Sequence, residues 1–213
     1  MSDFLLDEQG VPTTPGAGSS ILFPHNYATK KSWAIRNSDG MVCMVPGLIN
    51  QSVADQATAA GVDTYVTGAN ILVPAQGLQV GTIFRWRIGL TKSAAGTAAP
   101  AWIVRVGTAG AIGDTARITF TQVAAQTAAA DAAVVDIQAI VRTIGAAGVM
   151  HGVLMMGHVL AATGFSTLNH NVQQVASAGF DMTVANLFVG LSMAPGASGV
   201  WTAQNVVVEA LNL

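Results

Sequence analysis

Charged residues are scarce in this chain of 213 residues. Lysine, arginine, aspartate and glutamate make up 9% of the sequence, against about 25% in an average soluble domain. Hydrophobic residues make up 51%, which excludes disorder for most of the chain. A monomer with so few charges covers its surface with difficulty, so we expect part of the surface to be buried in an assembly. The alternative is a surface rich in alanine, threonine, glutamine and serine, which needs no partner.

The sequence also lacks the signatures of several other protein classes. Cys43 is the only cysteine, so no disulfide forms within the chain. The nine basic residues are spread along the sequence, which predicts no nucleic-acid partner. The start, MSDFLLDEQG, carries acidic residues where an export signal needs basic ones. Glycine, histidine and asparagine interrupt the uncharged segment 143–180, which predicts no membrane insertion.

No motif predicts catalysis, a cofactor or a metal site. A nucleophile elbow, a phosphate-binding loop and a dinucleotide fingerprint are all absent from the sequence. His151 and His158 are seven residues apart, which places them on opposite faces of a strand, and His170 falls on another predicted strand. Asp131 and Asp136 fit a loop end and a strand face rather than a glycosidase pair. We therefore predict a protein that is not an enzyme, with no catalytic, cofactor-binding or metal-binding residues.

Alternation of apolar and polar residues is the strongest pattern present. In the stretch TIFRWRIGLT, residues 82–91, Phe84 and Trp86 share one face of an extended chain, and Arg85 and Arg87 share the other. A period of two predicts a strand with one face in a core. We expect four aromatic side chains in that core, from this strand and two later ones: Phe84, Trp86, Trp102 and Phe120.

Eight further strands are predicted by the same pattern and by the turn-forming residues between them. Together with strand 82–91, the nine predicted strands span 64–73, 82–91, 101–106, 116–122, 133–143, 149–160, 168–177, 183–193 and 201–211. No long helical pattern intervenes, and the connectors are rich in glycine, alanine, serine, threonine and proline. The sequence therefore predicts an all-β protein with a jelly-roll-like antiparallel β-sandwich. An immunoglobulin-like sandwich is the alternative, although these strands are long for it.

The chain divides into four predicted parts. Residues 1–20 form an extended arm, because a proline- and glycine-rich leash follows a short apolar patch made of Phe4, Leu5 and Leu6. Residues 21–47 form a small β-unit, which is too small to be stable alone. Residues 48–61 form a linker or a short helix, and residues 62–213 form the sandwich. The apolar patch predicts an attachment point on a neighbouring molecule.

Three stretches of the chain resemble a protein family. The run LVPAQGLQVGTIFRWRIGLTKSAAGTAAPAWIVRVGTAGAIGDTARITFT and the end TVANLFVGLSMAPGASGVWTAQNVVVEA resemble a β-sandwich domain of virion structural proteins of tailed bacteriophages. The segment PTTPGAGSSILFPHNYATKKSWAIRNSDGM is similar to the short β-unit that precedes such domains in phage tail, fibre and head-attached proteins. The resemblance covers roughly residues 60–213 and part of the N-terminal region. It implies a homotrimer and carries over no catalytic residue.

These observations predict a structural protein of a phage virion, assembled in the host cytoplasm. We expect a homotrimer that decorates the capsid, as a cement or head-fibre protein, and binds the major capsid protein or another virion protein through its N-terminal region. The sequence has no coiled coil and no repeated shaft segment, which favours the head over the tail. The alternatives are a tail-fibre or baseplate component, or a module that binds a host surface glycan or receptor.

Overall fold

The computed structural model describes residues 14, 16–17, 19–27, 30–37, 42–44, 47–73, 77–93, 96–122, 126–159, 162–167, 170–197 and 199–213. These residues form strands, turns and irregular segments and no α-helix. Within them, no helix is therefore long and apolar enough to cross a membrane.

The N-terminal region folds into a small antiparallel sheet. It contains β1 (Ser20–Tyr27), β2 (Lys30–Asn37) and β3 (Val42–Met44), in the order β1-β2-β3. Residues 38–41, which join β2 to β3, lie outside the described residues. Ile21 packs against the hydrophobic core of the rest of the protein, so this sheet contacts the main domain.

The remaining strands build two antiparallel sheets. They are β4 (Gly47–Ser52), β5 (Gln56–Ala57), β6 (Thr64–Tyr65), β7 (Ile71–Leu72), β8 (Ile83–Lys92), β9 (Ala101–Gly107), β10 (Thr115–Thr121), β11 (Asp131–Thr143), β12 (Val149–His158), β13 (His170–Ala176), β14 (Phe188–Ala194) and β15 (Trp201–Leu211). The large sheet has the order β13-β12-β11-β8-β15-β4, with β5 also paired to β15. The small sheet has the order β10-β9-β14-β6, with β7 also paired to β14.

The two sheets pack against each other, which confirms the predicted all-β sandwich. The pairing is nested, because β8 pairs with the last strand, β15, and β9 pairs with β14, the strand before it. This nesting is the feature that the protein shares with a jelly roll. The hairpins β9–β10 and β11–β12 extend the two sheets outward from the nested pairs.

Aromatic side chains from both sheets fill the core between them. Phe84 and Trp86 on β8, Trp102 on β9 and Phe120 on β10 are all buried there. Gly152 on β12 makes room for one of these rings. A Cβ atom at this position would lie 2.6 Å from Cζ of Phe120, so only glycine lets the ring approach the backbone of the large sheet.

The stretch 48–61, expected to be a linker or a short helix, belongs to the sandwich instead. It contains part of β4 and all of β5, and both strands pair with β15. Ile49 is buried, and the Asn50 side chain donates a hydrogen bond to the Asn70 carbonyl at 2.9 Å. An edge strand of an antiparallel sheet can expose polar side chains to solvent, so the polar residues of LINQS do not exclude a strand.

The predicted strand 64–73 is broken into β6 and β7 by a turn. The Ala69 amide donates to the Val66 carbonyl at 3.2 Å, and Gly68 has a φ of 79°. A Cβ atom on Gly68 would lie 2.5 Å from the Gln51 carbonyl oxygen. The chain therefore turns where glycine allows both the positive φ and the close approach to β4.

The predicted strand 183–193 begins five residues late, at Phe188. The Asp181 carboxylate accepts hydrogen bonds from the Thr183 amide at 2.8 Å and from the Thr183 hydroxyl at 2.6 Å. Both hydrogen bonds lower the pKa of the Asp181 carboxyl below its ordinary value, and the bond from the Thr183 hydroxyl has the larger effect. Asn186 then adopts a φ of 58°, so the segment forms local turns rather than a ladder.

Candidate functional site

A groove lies on the outer face of the large sheet, the face turned away from the small sheet. Its volume is about 690 Å³, and it crosses the four central strands β12, β11, β8 and β15. The register aligns its side chains in rows. Arg87 on β8 lies opposite Asp136 on β11 and Val207 on β15, and Asp136 lies opposite Met155 on β12. We call this surface the outer groove.

Four charged side chains line the outer groove, two of each sign: Arg85, Arg87, Asp136 and Glu209. Arg87 Nε lies 3.5 Å from Asp136 Oδ1, and these two side chains are 70% and 43% exposed. Arg85 Nε donates to Gln138 Oε1 at 3.3 Å. An exposed pair of this kind contributes about 0–1 kcal/mol to stability, so the fold does not depend on these charges.

Apolar side chains surround the charges of the outer groove. Among the described strands of the two sandwich sheets, every exposed large hydrophobic side chain lies on this one face of the large sheet: Val134, Val153, Met155, Val172 and Val207. Met155 is 53% exposed and Val172 is 67% exposed. Exposed apolar side chains grouped on one face mark an interaction surface, whereas single ones scattered over a surface are ordinary.

The outer face of the small sheet is different, because a loop is fixed over it. Arg105 on β9 pairs with Asp63, and its Nε donates to the Ser192 hydroxyl at 2.8 Å. The hydroxyl of Tyr65 lies so close to Gly190 that a Cβ atom there would overlap it. Burial raises the pKa of the Tyr65 hydroxyl well above its ordinary value, and the nearby Asp114 carboxylate adds a smaller effect in the same direction. Over β9 and β14 this surface is thus occupied by the protein itself.

A buried lysine holds three loops together at one end of the sandwich. Lys92, 2% exposed, ends β8. Its ammonium shares three N–H groups among four acceptors, the carbonyl oxygens of Gly96, Thr127 and Gly164 at 2.7, 2.6 and 2.6 Å and Gln126 Oε1 at 3.0 Å. These acceptors belong to the connections after β8, β10 and β12. Burial lowers the pKa of the Lys92 ammonium, and the Asp131 carboxylate offsets part of that effect.

Asp131 completes this buried polar cluster. Its Oδ2 lies 3.0 Å from His158 Nδ1 and accepts a hydrogen bond from the Phe165 amide at 3.0 Å. Asp136 points to the opposite face of β11, into the outer groove, so the two aspartates do not form an acidic pair. The cluster ties the loop before β13 to β11 and is fully occupied with structural contacts.

The histidines do not converge on a metal site in the described part of the chain. His158 contacts Asp131 inside the sandwich, whereas His151 lies opposite Ile140 in the register of the outer face. His170 lies on β13. No group of three histidine, cysteine, aspartate or glutamate side chains that could hold a metal ion occurs among the described residues.

The sequence and the structure emphasise different residues. Phe4, Leu5 and Leu6, the predicted attachment residues, lie outside the described residues. The four predicted core aromatics are buried in the sandwich. The outer groove was missed, although the alternation that assigned Arg85 and Arg87 to one strand face contained part of the signal. The apolar half of the groove comes from β12 and β15, and no sequence pattern reveals that these strands flank β11 and β8.

Comparisons with known proteins add little to this picture. No protein-family model matches the chain, and no curated protein matches it in sequence. Among solved structures, the chain is similar to one titled "Structure of infectious bursal disease virus Gx strain", with 12% identity and a TM-score of 0.20. The match covers 89% of this chain and 50% of that one, so the chain spans about half its length. At this TM-score the similarity carries no argument about fold or function.

Proposed function

We propose that this protein is a structural component of a phage virion, a homotrimer that decorates the capsid and is not an enzyme. The observation that carries the proposal is the exposed apolar face of the large sheet in a chain with only 9% charged residues. Such a surface is suited to permanent burial in an assembly. The resemblance of the sandwich and the N-terminal segment to virion structural proteins supports the same role.

The N-terminal region is the proposed attachment to the particle. The small sheet β1-β2-β3, which follows the arm in the sequence, contacts the sandwich through Ile21. Burial of Phe4, Leu5 and Leu6 on another virion protein would contribute about 1.5–3 kcal/mol per side chain, before the cost of ordering the arm. Three arms on one trimer would multiply this effect through avidity.

Two other functions are alternatives to capsid decoration. A tail-fibre or baseplate component would share the fold and the trimer and differ only in its place on the virion. A module for host glycans would need aromatic rings at the surface, and in the described residues Trp86, Trp102 and Trp201 are all buried. The observations therefore favour a structural role over glycan recognition.

Deletion of residues 1–20 is expected to abolish binding to phage particles assembled without this protein, while the truncated chain keeps its β-rich fold. Cosedimentation of purified protein with such particles measures the binding, and circular dichroism checks the fold. Replacing Phe4, Leu5 and Leu6 by serine should have the same effect. Replacing Thr13 and Thr14 by serine is the matched control and should change nothing. If the truncated chain binds particles as well as the full chain does, attachment through the arm is wrong.

A further inference from the structure

We infer that the outer face of the large sheet packs against a second copy of this chain, with the outer groove at the centre of the contact. The inference deepens the proposed function and rests on it for the association of the chain with itself. It names the surface that forms the contact, which neither the sequence nor the fold class identifies.

The distribution of apolar side chains selects this face. The exposed valines and the methionine described above form a band across strands β13, β12, β11 and β15. Met155 lies directly opposite Val172 in the register, so their side chains are neighbours. The small sheet has no comparable band in the described residues, because Asp63 and Tyr65 lie over its outer face. A partner that covers the apolar band therefore approaches the large sheet.

The charges of the outer groove point to a copy of the same chain as that partner. Two arginines lie between an aspartate on one neighbouring strand and a glutamate on the other, since β8 carries Arg85 and Arg87, β11 carries Asp136, and β15 carries Glu209. The patch thus has no net formal charge and presents both signs. An acidic or a basic partner would leave half of these charges facing like charges. A second copy offers each arginine a carboxylate and each carboxylate an arginine.

The composition of the face agrees with an interface that excludes water. No lysine lies on the outer face of the described strands of the large sheet, since Lys92 points into the sandwich. Arginine and methionine are enriched in protein interfaces, and lysine is depleted there.

The size of the face is sufficient for a stable contact. Six strands in the order β13 to β4 give five spacings of about 4.8 Å, or roughly 24 Å of width. Eight residues of extended strand give a length of about 26 Å. The product is roughly 600 Å² of flat sheet, and side-chain relief increases the accessible area toward the about 800 Å² per partner of a standard interface.

Light scattering of the full chain tests the inference. The wild type is expected at two or three times the chain mass of 21.7 kDa: two if the outer faces of two copies pack on each other, three if they meet around the threefold axis of the proposed trimer. The double variant Met155→Glu/Val207→Glu is expected at the mass of one chain, with a dissociation constant raised at least about 100-fold. Thr119→Glu/Thr121→Glu, which adds the same charges to exposed positions on β10 of the small sheet, is the matched control and should leave the mass unchanged.

Two further variants separate loss of the contact from loss of the fold. Val153→Thr/Val207→Thr keeps the β-branched shape and should weaken association while circular dichroism and the melting curve stay those of a folded sandwich. Arg87→Glu should weaken association, and Arg87→Glu/Asp136→Arg should restore it, because the exchange keeps both signs on the face. If Arg87→Glu weakens association and Arg87→Glu/Asp136→Arg does not restore it, the charge argument is wrong.

The outcomes distinguish this inference from the proposed function. If the wild type is oligomeric and the variants on the outer face keep its mass, the inference is overturned and the virion role is untouched. If the variants dissociate the oligomer but the wild type is absent from virions, the inference stands and the virion role fails. A wild type that is monomeric at micromolar concentration overturns both the inference and the proposed trimer.

Discussion

Trp86→Ala is expected to lower the free energy of unfolding by about 3–5 kcal/mol. Trp86 is 1% exposed and stacks on Phe84 with 6.2 Å between ring centroids. Its indole Nε1 donates to the Ala69 carbonyl at 2.7 Å. The substitution therefore leaves a cavity between the sheets and also leaves a buried carbonyl without its donor.

Trp86→Phe separates these two effects, because it keeps most of the ring volume and removes the donor. Its expected cost is about 1–3 kcal/mol. Denaturant unfolding followed by tryptophan fluorescence and circular dichroism measures both variants. All samples must have the same protein concentration, since association with a second copy stabilises the folded state. A loss below about 1 kcal/mol for Trp86→Ala would show that the sandwich core is not organised around β8.

Lys92→Met is expected to destabilise the protein by about 2–4 kcal/mol, although it removes a charge that burial disfavours. Loss of the ammonium leaves four acceptors without a partner, and each buried unsatisfied group costs about 1–3 kcal/mol. Removal of the desolvation penalty of the ammonium offsets part of this cost. The loops after β8, β10 and β12 should also lose protection from amide hydrogen exchange, because Lys92 joins them.

Arg142→Met on β11 is the matched control for Lys92→Met, since it replaces an exposed basic side chain on the same sheet. Its expected effect is within about 0.5 kcal/mol. Thermal unfolding and hydrogen exchange measure both variants. Equal stability of Lys92→Met and the wild type would mean that the three loops hold their positions without the lysine.

Strands with one buried face could be predicted from the sequence because alternation is a local signal. β8 begins one residue after its predicted start, and β9 begins at its predicted start, Ala101. In β8 Arg85 and Arg87 alternate with Phe84, Trp86 and Ile88, and in β9 Arg105 lies opposite the face of Trp102, Val104 and Val106, so the core face is clear in both strands. The burial of Phe84, Trp86, Trp102 and Phe120 follows from the same pattern.

Strands without that pattern were missed for physical reasons. β4 has a buried Ile49 next to the polar residues Asn50, Gln51 and Ser52, and it lies at the edge of the large sheet. The apolar residues of 64–73 resemble one strand, but contact with the backbone of Gln51 imposes a turn at Gly68. Both features depend on residues far away in the sequence.

The outer groove could not be predicted because it depends on strand order. Arg87 and Asp136 are neighbours only because β11 pairs with β8 rather than with β10, which precedes it in the chain. Val207 joins them because β15 returns to the other side of β8. Alternation assigns each side chain to a face, whereas the pairing of distant strands decides which side chains meet on it.

The most direct test of the proposed role is mass spectrometry of virions purified through a density gradient. If the proposed role is correct, purified virions should contain this chain at tens of copies or more, in a constant ratio to the major capsid protein. Particles from a mutant without this chain should lack that signal and regain it when purified protein is added. Abundant protein in the lysate together with its absence from purified virions would contradict a structural role in the virion.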